Sequence, residues 1–305
     1  MERIMQPQLL SAPHVYLIVI AIIGGTLARI GTIREDYRQY PSFPNGYLNQ
    51  IMFGFVASTL GAVSVPALMT NNFTAVTFLG LAITQFQSLR KLELMSLQLL
   101  EETEFTKRGN AYIDGIAKTF ESRNYTSLLV SITLAVCMEM MEHEPLLVRA
   151  SLSAIAGYIL YLAIARFTKG KKISDLADVR QGVISIKNNE LYVDDFFVSN
   201  RIGIERGQEM ILNEGLAVVV YPKVNHYRIS LDNFGQRQAI LFEITRSLGV
   251  KRYHYTRKNY EDGRIAFIVV PILKDIGTMI DVVRNTPVLE STIKSHLFLK
   301  KDRKR

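Results

Sequence analysis

The hydrophobic pattern of this chain changes once, near residue 170. From Pro13 to Ala28 and again from Ile51 to Leu89 there is no Asp, Glu, Lys or Arg. A helix needs roughly 20 mostly apolar residues to cross a bilayer core. The second run is therefore long enough for two crossings, broken at Asn71-Asn72. The pattern predicts five spans, at about 10–28, 49–69, 73–89, 125–141 and 146–165. The first could be a signal peptide, but its apolar run is long, its basic flank follows it, and no small-residue cleavage site closes it, so it is read as a helix.

Positive residues stay on the cytoplasmic side of short connections, while acids count for little. Arg29, Arg34 and Arg38 follow the first span; Arg90, Lys91, Lys107, Arg108, Lys118 and Arg123 lie between the third and fourth; Arg166, Lys169, Lys171 and Lys172 follow the fifth. The alternate connections, 70–72 and 142–145, carry none. The expected topology has the N-terminus outside and the C-terminal domain in the cytoplasm, in a cell membrane.

From about residue 171 the long apolar runs stop and charges appear throughout. Residues 182–187 and 190–193 flank Asn188-Asn189 as a hairpin would. Leu216 to Tyr221 is a continuous apolar run ended by Pro222. Residues 236–248 have helical spacing closed by Gly249. Residues 251–256 and 264–270 are strands around Glu261-Asp262-Gly263, and 274–285 is a second helix. The chain thus divides into a helical multi-pass membrane domain, 1–170, with a cytoplasmic amphipathic segment at 90–124, and a cytoplasmic α+β domain, 171–305. The order of elements suggests a ferredoxin-like arrangement, a fold that hosts many functions and identifies none.

In the amphipathic segment Ile113, Ile116, Ala117 and Phe120 recur at i, i+3, i+4 and i+7, one apolar stripe of a helix. Asp114, Lys118 and Glu121 occupy another face. Asp114 and Lys118 are spaced for an ordinary i,i+4 pair, and Glu121 for a contact with Arg123 or lipid headgroups.

The formal net charge is +8. Basic segments beside an anionic leaflet account for much of it, and no aromatic-interleaved basic motif accompanies the charge, so no nucleic-acid partner is expected. Cys137 stands alone inside a span, and the five histidines are scattered, which leaves neither a disulfide framework nor a metal motif. His143, between Glu142 and Glu144, reads as a solvated loop residue. Nucleophile elbows, Walker loops and GxGxxG are missing. No metal or cofactor is expected, and any catalysis must use carboxylates.

Several separated stretches resemble the YIEGIA family of endospore-forming Firmicutes. They are Asp36-Tyr37-Arg38-Gln39-Tyr40-Pro41 with Pro44-Asn45-Gly46, the runs 60–68 and 73–79, and Tyr112-Ile113-Asp114-Gly115-Ile116-Ala117 with Glu121-Ser122-Arg123-Asn124-Tyr125; Thr286-Pro287-Val288-Leu289-Glu290-Ser291 also fits. One departure is visible, since the motif's Glu is Asp114 here, which keeps the charge and shortens the reach. The resemblance implies a sporulation-associated integral membrane protein and carries no chemistry with it.

Aspartyl-type hydrolysis needs two acids sharing a proton. Glu35 and Asp36 lie just past the inner end of the first span, on the same side as Asp114. Glu139 lies fourteen residues beyond Tyr125, about 20 Å away along a helix, near the outer surface, and is expected to be solvated. The catalytic expectation is therefore a membrane-embedded peptidase with Asp36 and Asp114 as acids, with Arg38, Lys118 and Glu121 tuning the pair or positioning a protein substrate. The alternative is a non-catalytic platform or regulator in spore-envelope assembly whose cytoplasmic domain docks a protein. In both readings the bilayer is a partner.

Overall fold

The computed structural model describes residues 12–36, 44–70, 73–200, 202 and 204–292. The chain forms two compact units: one holds Met1–Met95 and Ile116–Lys169, the other Ser96–Gly115 and Gly170–Arg305. Two helices, introduced below as α3 and α4, therefore contribute residues to both.

Five long helices occupy the apolar half: α1 (Ala12–Asp36), α2 (Pro44–Met69), α3 (Phe73–Leu100), α4 (Asn110–Met140) and α5 (Leu146–Thr168). Among the described residues, three stretches are long and apolar enough to cross a membrane: His14–Ile33, Tyr47–Met69 and Leu146–Thr168. The helices run beyond the expected spans, furthest in α3 and α4. No Pro or Gly interrupts the chain after Leu89, so α3 continues through Arg90, Lys91 and Glu93 to Leu100. The fourth helix starts at Asn110 rather than near 125, so residues 110–124 of the expected amphipathic segment and the fourth apolar run are one continuous helix, while residues 90–100 of that segment belong to α3.

Packing in this unit relies on small residues. Leu17 and Ala21 of α1, Ala62 and Val65 of α2, and Val130, Leu134, Ala135 and Met138 of α4 form one buried cluster. A Cβ on Gly25 would stand 2.5 Å from the Ser58 hydroxyl oxygen and 2.7 Å from the Ser127 carbonyl oxygen. Across the same junction the Ser131 hydroxyl donates to the Ser58 carbonyl at 2.6 Å. Small residues that admit close backbone approach, with hydroxyls bonding across helices, are the packing expected where no hydrophobic force presses helices together. The outward faces are apolar as well: Tyr16, Val19, Ile23 and Leu27 on α1 and Leu152, Ile155, Ile159 and Leu162 on α5 are exposed.

The C-terminal unit is α+β. After the short helix α6 (Ile173–Leu176) come β1 (Ala177–Gly182), β2 (Ile184–Lys187), β3 (Glu190–Val193), β4 (Phe196–Ser199), α7 (Glu205–Glu214) and β5 (Leu216–Pro222). Next are α8 (Tyr227–Asp232), α9 (Phe234–Leu248), β6 (His254–Lys258), β7 (Ile265–Val269) and α10 (Ile276–Asn285). The hairpin β2–β3 turns at Asn188 and Asn189, with φ of 50° and 63°, the left-handed pair that a two-residue hairpin turn requires.

The main sheet has the order β1-β5-β7-β6, and β2-β3-β4 form a second sheet. All pairings in the main sheet are antiparallel. In the main sheet β7 lies between β5 and β6 and is antiparallel to both, so β5 and β6 run parallel to each other and are joined through α9, the spacing of a split βαβ unit; the smaller sheet backs this one. The continuous apolar runs of β5 and β7 explain the layering. Val218, Val220, Phe267 and Val269 pack against Ile240, Ile244 and Leu248 of α9 and Met279 and Val283 of α10. The alternate residues Ala217, Val219, Ala266 and Ile268 pack against Leu191, Val193 and Phe196 of the second sheet.

Candidate functional site

The Tyr112–Ala117 motif opens α4, and a turn built from the preceding loop starts that helix. Gly109 has φ +88°, a conformation that glycine adopts without steric penalty. Its N–H donates to Glu101 Oε1 at 2.7 Å, and its carbonyl accepts from the N–H groups of Tyr112 and Ile113 at 3.0 and 3.1 Å. Glu101 is buried.

Tyr112, 4% exposed, donates its phenolic hydrogen to Glu243 Oε1 of α9 at 2.5 Å. Its ring meets Phe242 edge-on at 6.3 Å, and the Arg108 guanidinium lies 4.8 Å from the Phe242 centroid. Burial, then the negative charge of Glu243 and the bond to it, push the Tyr112 pKa well up, while Arg246 and Arg108 pull the other way. The phenol is a fixed neutral donor. Arg108 is buried, 3.6 Å from Glu104, and its Nε has no hydrogen-bond partner among the described residues. All these groups belong to the C-terminal unit. The arrangement is chemically a latch, fastening the head of α4 to α9.

The expected stripe is present: Ile113, Ile116, Ala117 and Phe120 are all buried. Asp114, Lys118 and Glu121 lie half-buried on the other face of α4. Asp114 belongs to the C-terminal unit, whereas Asp36, Lys118 and Glu121 belong to the other. Asp36 is the last residue of α1; its side chain and Arg38 lie outside the described residues. Glu121 is bonded by Arg90 Nη1 at 3.3 Å, and Arg123 Nη1 donates to the Thr32 carbonyl at 3.4 Å. Lys118 and Glu121 line a pocket of about 330 Å³ with Ser122, Tyr125, Leu129 and Ile164.

Three further polar contacts in the N-terminal unit escape a reading of the sequence. Arg29, counted above with the cytoplasmic charges, is wholly buried. Its Nη1 donates to Thr32 Oγ1 at 3.0 Å and its Nη2 to Gln50 Oε1 at 3.1 Å, while the guanidinium sits 5.5 Å from the centroid of Phe120. Gly54 makes room for its stem, because a Cβ there would stand 2.5 Å from Arg29 Cγ. Arg149, inside the fifth apolar run, is also buried; its Nε donates to the Met138 carbonyl at 3.1 Å and its Nη1 to the Glu142 carbonyl at 3.4 Å. A cation there satisfies the last carbonyls of α4. Glu139, expected to be solvated, is only 15% exposed in its side chain and faces His14 Nε2 at 3.9 Å.

The sequence model of the family described as "YIEGIA protein" matches residues 17–298. The chain belongs to the YIEGIA family. It is 33% identical over 288 residues to the uncharacterized protein YphB of Bacillus subtilis (strain 168), covering 92% of this chain and 94% of that protein. No solved structure matches it. In this YIEGIA-family chain the name-giving motif opens α4, with Tyr112 bonded to α9.

Proposed function

We propose that this YIEGIA-family protein is a five-span membrane protein, N-terminus outside and α+β unit in the cytoplasm, that serves as a non-catalytic platform in spore-envelope assembly. Its α+β unit docks a protein partner. The observation that carries this reading is the latch: Tyr112 is held neutral on Glu243 and the motif's apolar residues are buried, so most of the motif is committed to holding α4. That helix enters both compact units, which suits a rod joining a membrane anchor to a docking unit. The alternation of Lys and Arg along the chain supports the orientation.

The half-buried Asp114 and the positions of Lys118 and Glu121 on a pocket favour the second reading, an aspartyl-type peptidase with Asp36 and Asp114 as acids. One comparison separates the two. Asp36→Asn and Asp114→Asn variants, made at the parental level, should restore sporulation to a deletion strain as the parent does, while a chain ending at Lys169 should not. Loss of function in both Asn variants, with normal level and thermal stability, would instead support hydrolysis.

A further inference from the structure

The small sheet of the C-terminal unit buries one face and leaves the other to solvent. Leu191, Val193 and Phe196 pack inward; the alternate positions Lys187, Glu190, Tyr192 and Phe197 fall on the outer face, each exposed or half-buried. Tyr192 stands opposite Phe197 across β3 and β4, and their rings meet edge-on at 5.8 Å. Lys187 Nζ lies 5.9 Å from the Tyr192 centroid. The guanidinium of Arg257, on the edge strand β6 of the main sheet, lies 5.7 Å from the centroid of Phe197. These contacts string Lys187, Tyr192, Phe197 and Arg257 into one row across the unit. Both cations are exposed, and neither forms an ion pair among the described residues. They are held by ring quadrupoles, which do not neutralise them. Glu190, opposite Lys187 across the hairpin, accepts the Tyr192 phenolic hydrogen at 2.6 Å. Arg264 differs, since its guanidinium is engaged by Asp195 and Asp262.

We propose that this face docks an acidic segment of a protein partner, with one carboxylate gripped by Arg257, a second at Lys187, and the two rings as the floor between them. Aromatic side chains and Arg are enriched at protein interfaces, and Arg takes a carboxylate at two points. A single-stranded nucleic acid needs free ring faces on which bases stack, whereas here a cation lies over each ring and Glu190 would repel phosphate. A second copy meeting the same face would set cation against cation. The inference rests on the reading of the α+β unit as a docking unit.

The probes are a short fluorescein-labelled peptide alternating Glu and Ala, its Gln counterpart, and an oligouridine, each titrated by fluorescence anisotropy against the full-length protein in detergent. The Glu peptide should bind and the Gln peptide should not. Lys187→Gln with Arg257→Gln should weaken the Glu peptide about tenfold, the size expected of two exposed ion pairs, with an unchanged melting temperature. Lys300→Gln with Lys301→Gln, in the basic C-terminal run, should weaken it less. No binding of the Glu peptide, or equal losses in the two double variants, overturns the proposal. Oligouridine binding that Lys187→Gln with Arg257→Gln removes, while the Glu peptide is unaffected, would make this a nucleic-acid face and also overturns it. In the deletion strain, Lys187→Glu with Arg257→Glu, made at the parental level, should fail to restore sporulation. If that variant restores it and a chain ending at Lys169 does not, docking stands and this face is rejected. If the chain ending at Lys169 restores it too, the docking reading itself fails.

Discussion

Tyr112 and Glu243 stand 131 residues apart in the chain, and their bond converts a motif residue into a fastening. A hydrogen bond to a charged acceptor contributes about 1.5–3 kcal/mol, so Tyr112→Phe should lower the stability of the C-terminal unit by about 2 kcal/mol, measured by chemical denaturation in detergent. The pH dependence has a definite sign. The folded pKa of Tyr112 is raised above its unfolded value near 10, so its stabilising contribution is complete below pH ~10 and fades as pH rises through the folded value. Tyr112→Phe should lack this alkaline decline. Gly109→Ala should also destabilise, by about 1–2 kcal/mol, because φ is +88° and the new Cβ would stand 2.8 Å from Gln238 Oε1; a thermal melt checks it. The stripe Ile113, Ile116, Ala117, Phe120 was legible because helical periodicity is local. The partner of Tyr112 was not, since nothing in a sequence pairs a phenol with a carboxylate so far along the chain. The surroundings of Arg29 were hidden for a related reason: its charge is visible, whereas Gln50, Phe120 and Gly54 gather around it only after three helices pack.

At the scale of elements, the helices meet where side chains are smallest. Gly25 of α1 lies against the Ser127 carbonyl of α4, and a backbone atom cannot rotate away as a long side chain can. Gly25→Ala should therefore force α1 outward and lower stability by about 1–3 kcal/mol, read as a drop in melting temperature or earlier proteolysis in detergent. Gly80→Ala is the matched control: no atom lies within 4 Å of its would-be Cβ, and helix propensity favours Ala, so it should be neutral or mildly stabilising. Element types in the C-terminal unit were legible, including the helices near 236–248 and 274–285 and the Asn188-Asn189 turn. The second sheet was not. The apolar runs of β5 and β7 announce burial on both faces, yet they do not say that β2–β4 cover the second face. The helix α7 was missed in the sequence because only Gly207 and Ile211 are buried in it, too few for a periodic signal.

For the whole molecule the proposed topology assigns each part to one side of a membrane by the alternation of Lys and Arg. Three stretches have the length and apolarity to cross; the five-span reading adds α3 and α4, each carrying charges at the end that continues out of its apolar run. Charge asymmetry then fixes all connections together, because reversing the molecule would move every cluster of Lys and Arg to the outer side. Cys137, the chain's single cysteine, makes a direct test simple. In a Cys137→Ser background, Glu144→Cys in the turn between α4 and α5 and Glu209→Cys on the exposed side of α7 can each be offered a membrane-impermeant maleimide on intact cells. The Glu144→Cys variant should be labelled at once, and the Glu209→Cys variant only after permeabilisation. The opposite pattern would invert the topology and move the latch to the outer side. Labelling of both on intact cells would place the turn and the α+β unit on one side, which requires an even number of crossings between them. With α5 the one apolar helix separating the two positions, that result would remove α5 from the membrane and with it the five-span reading.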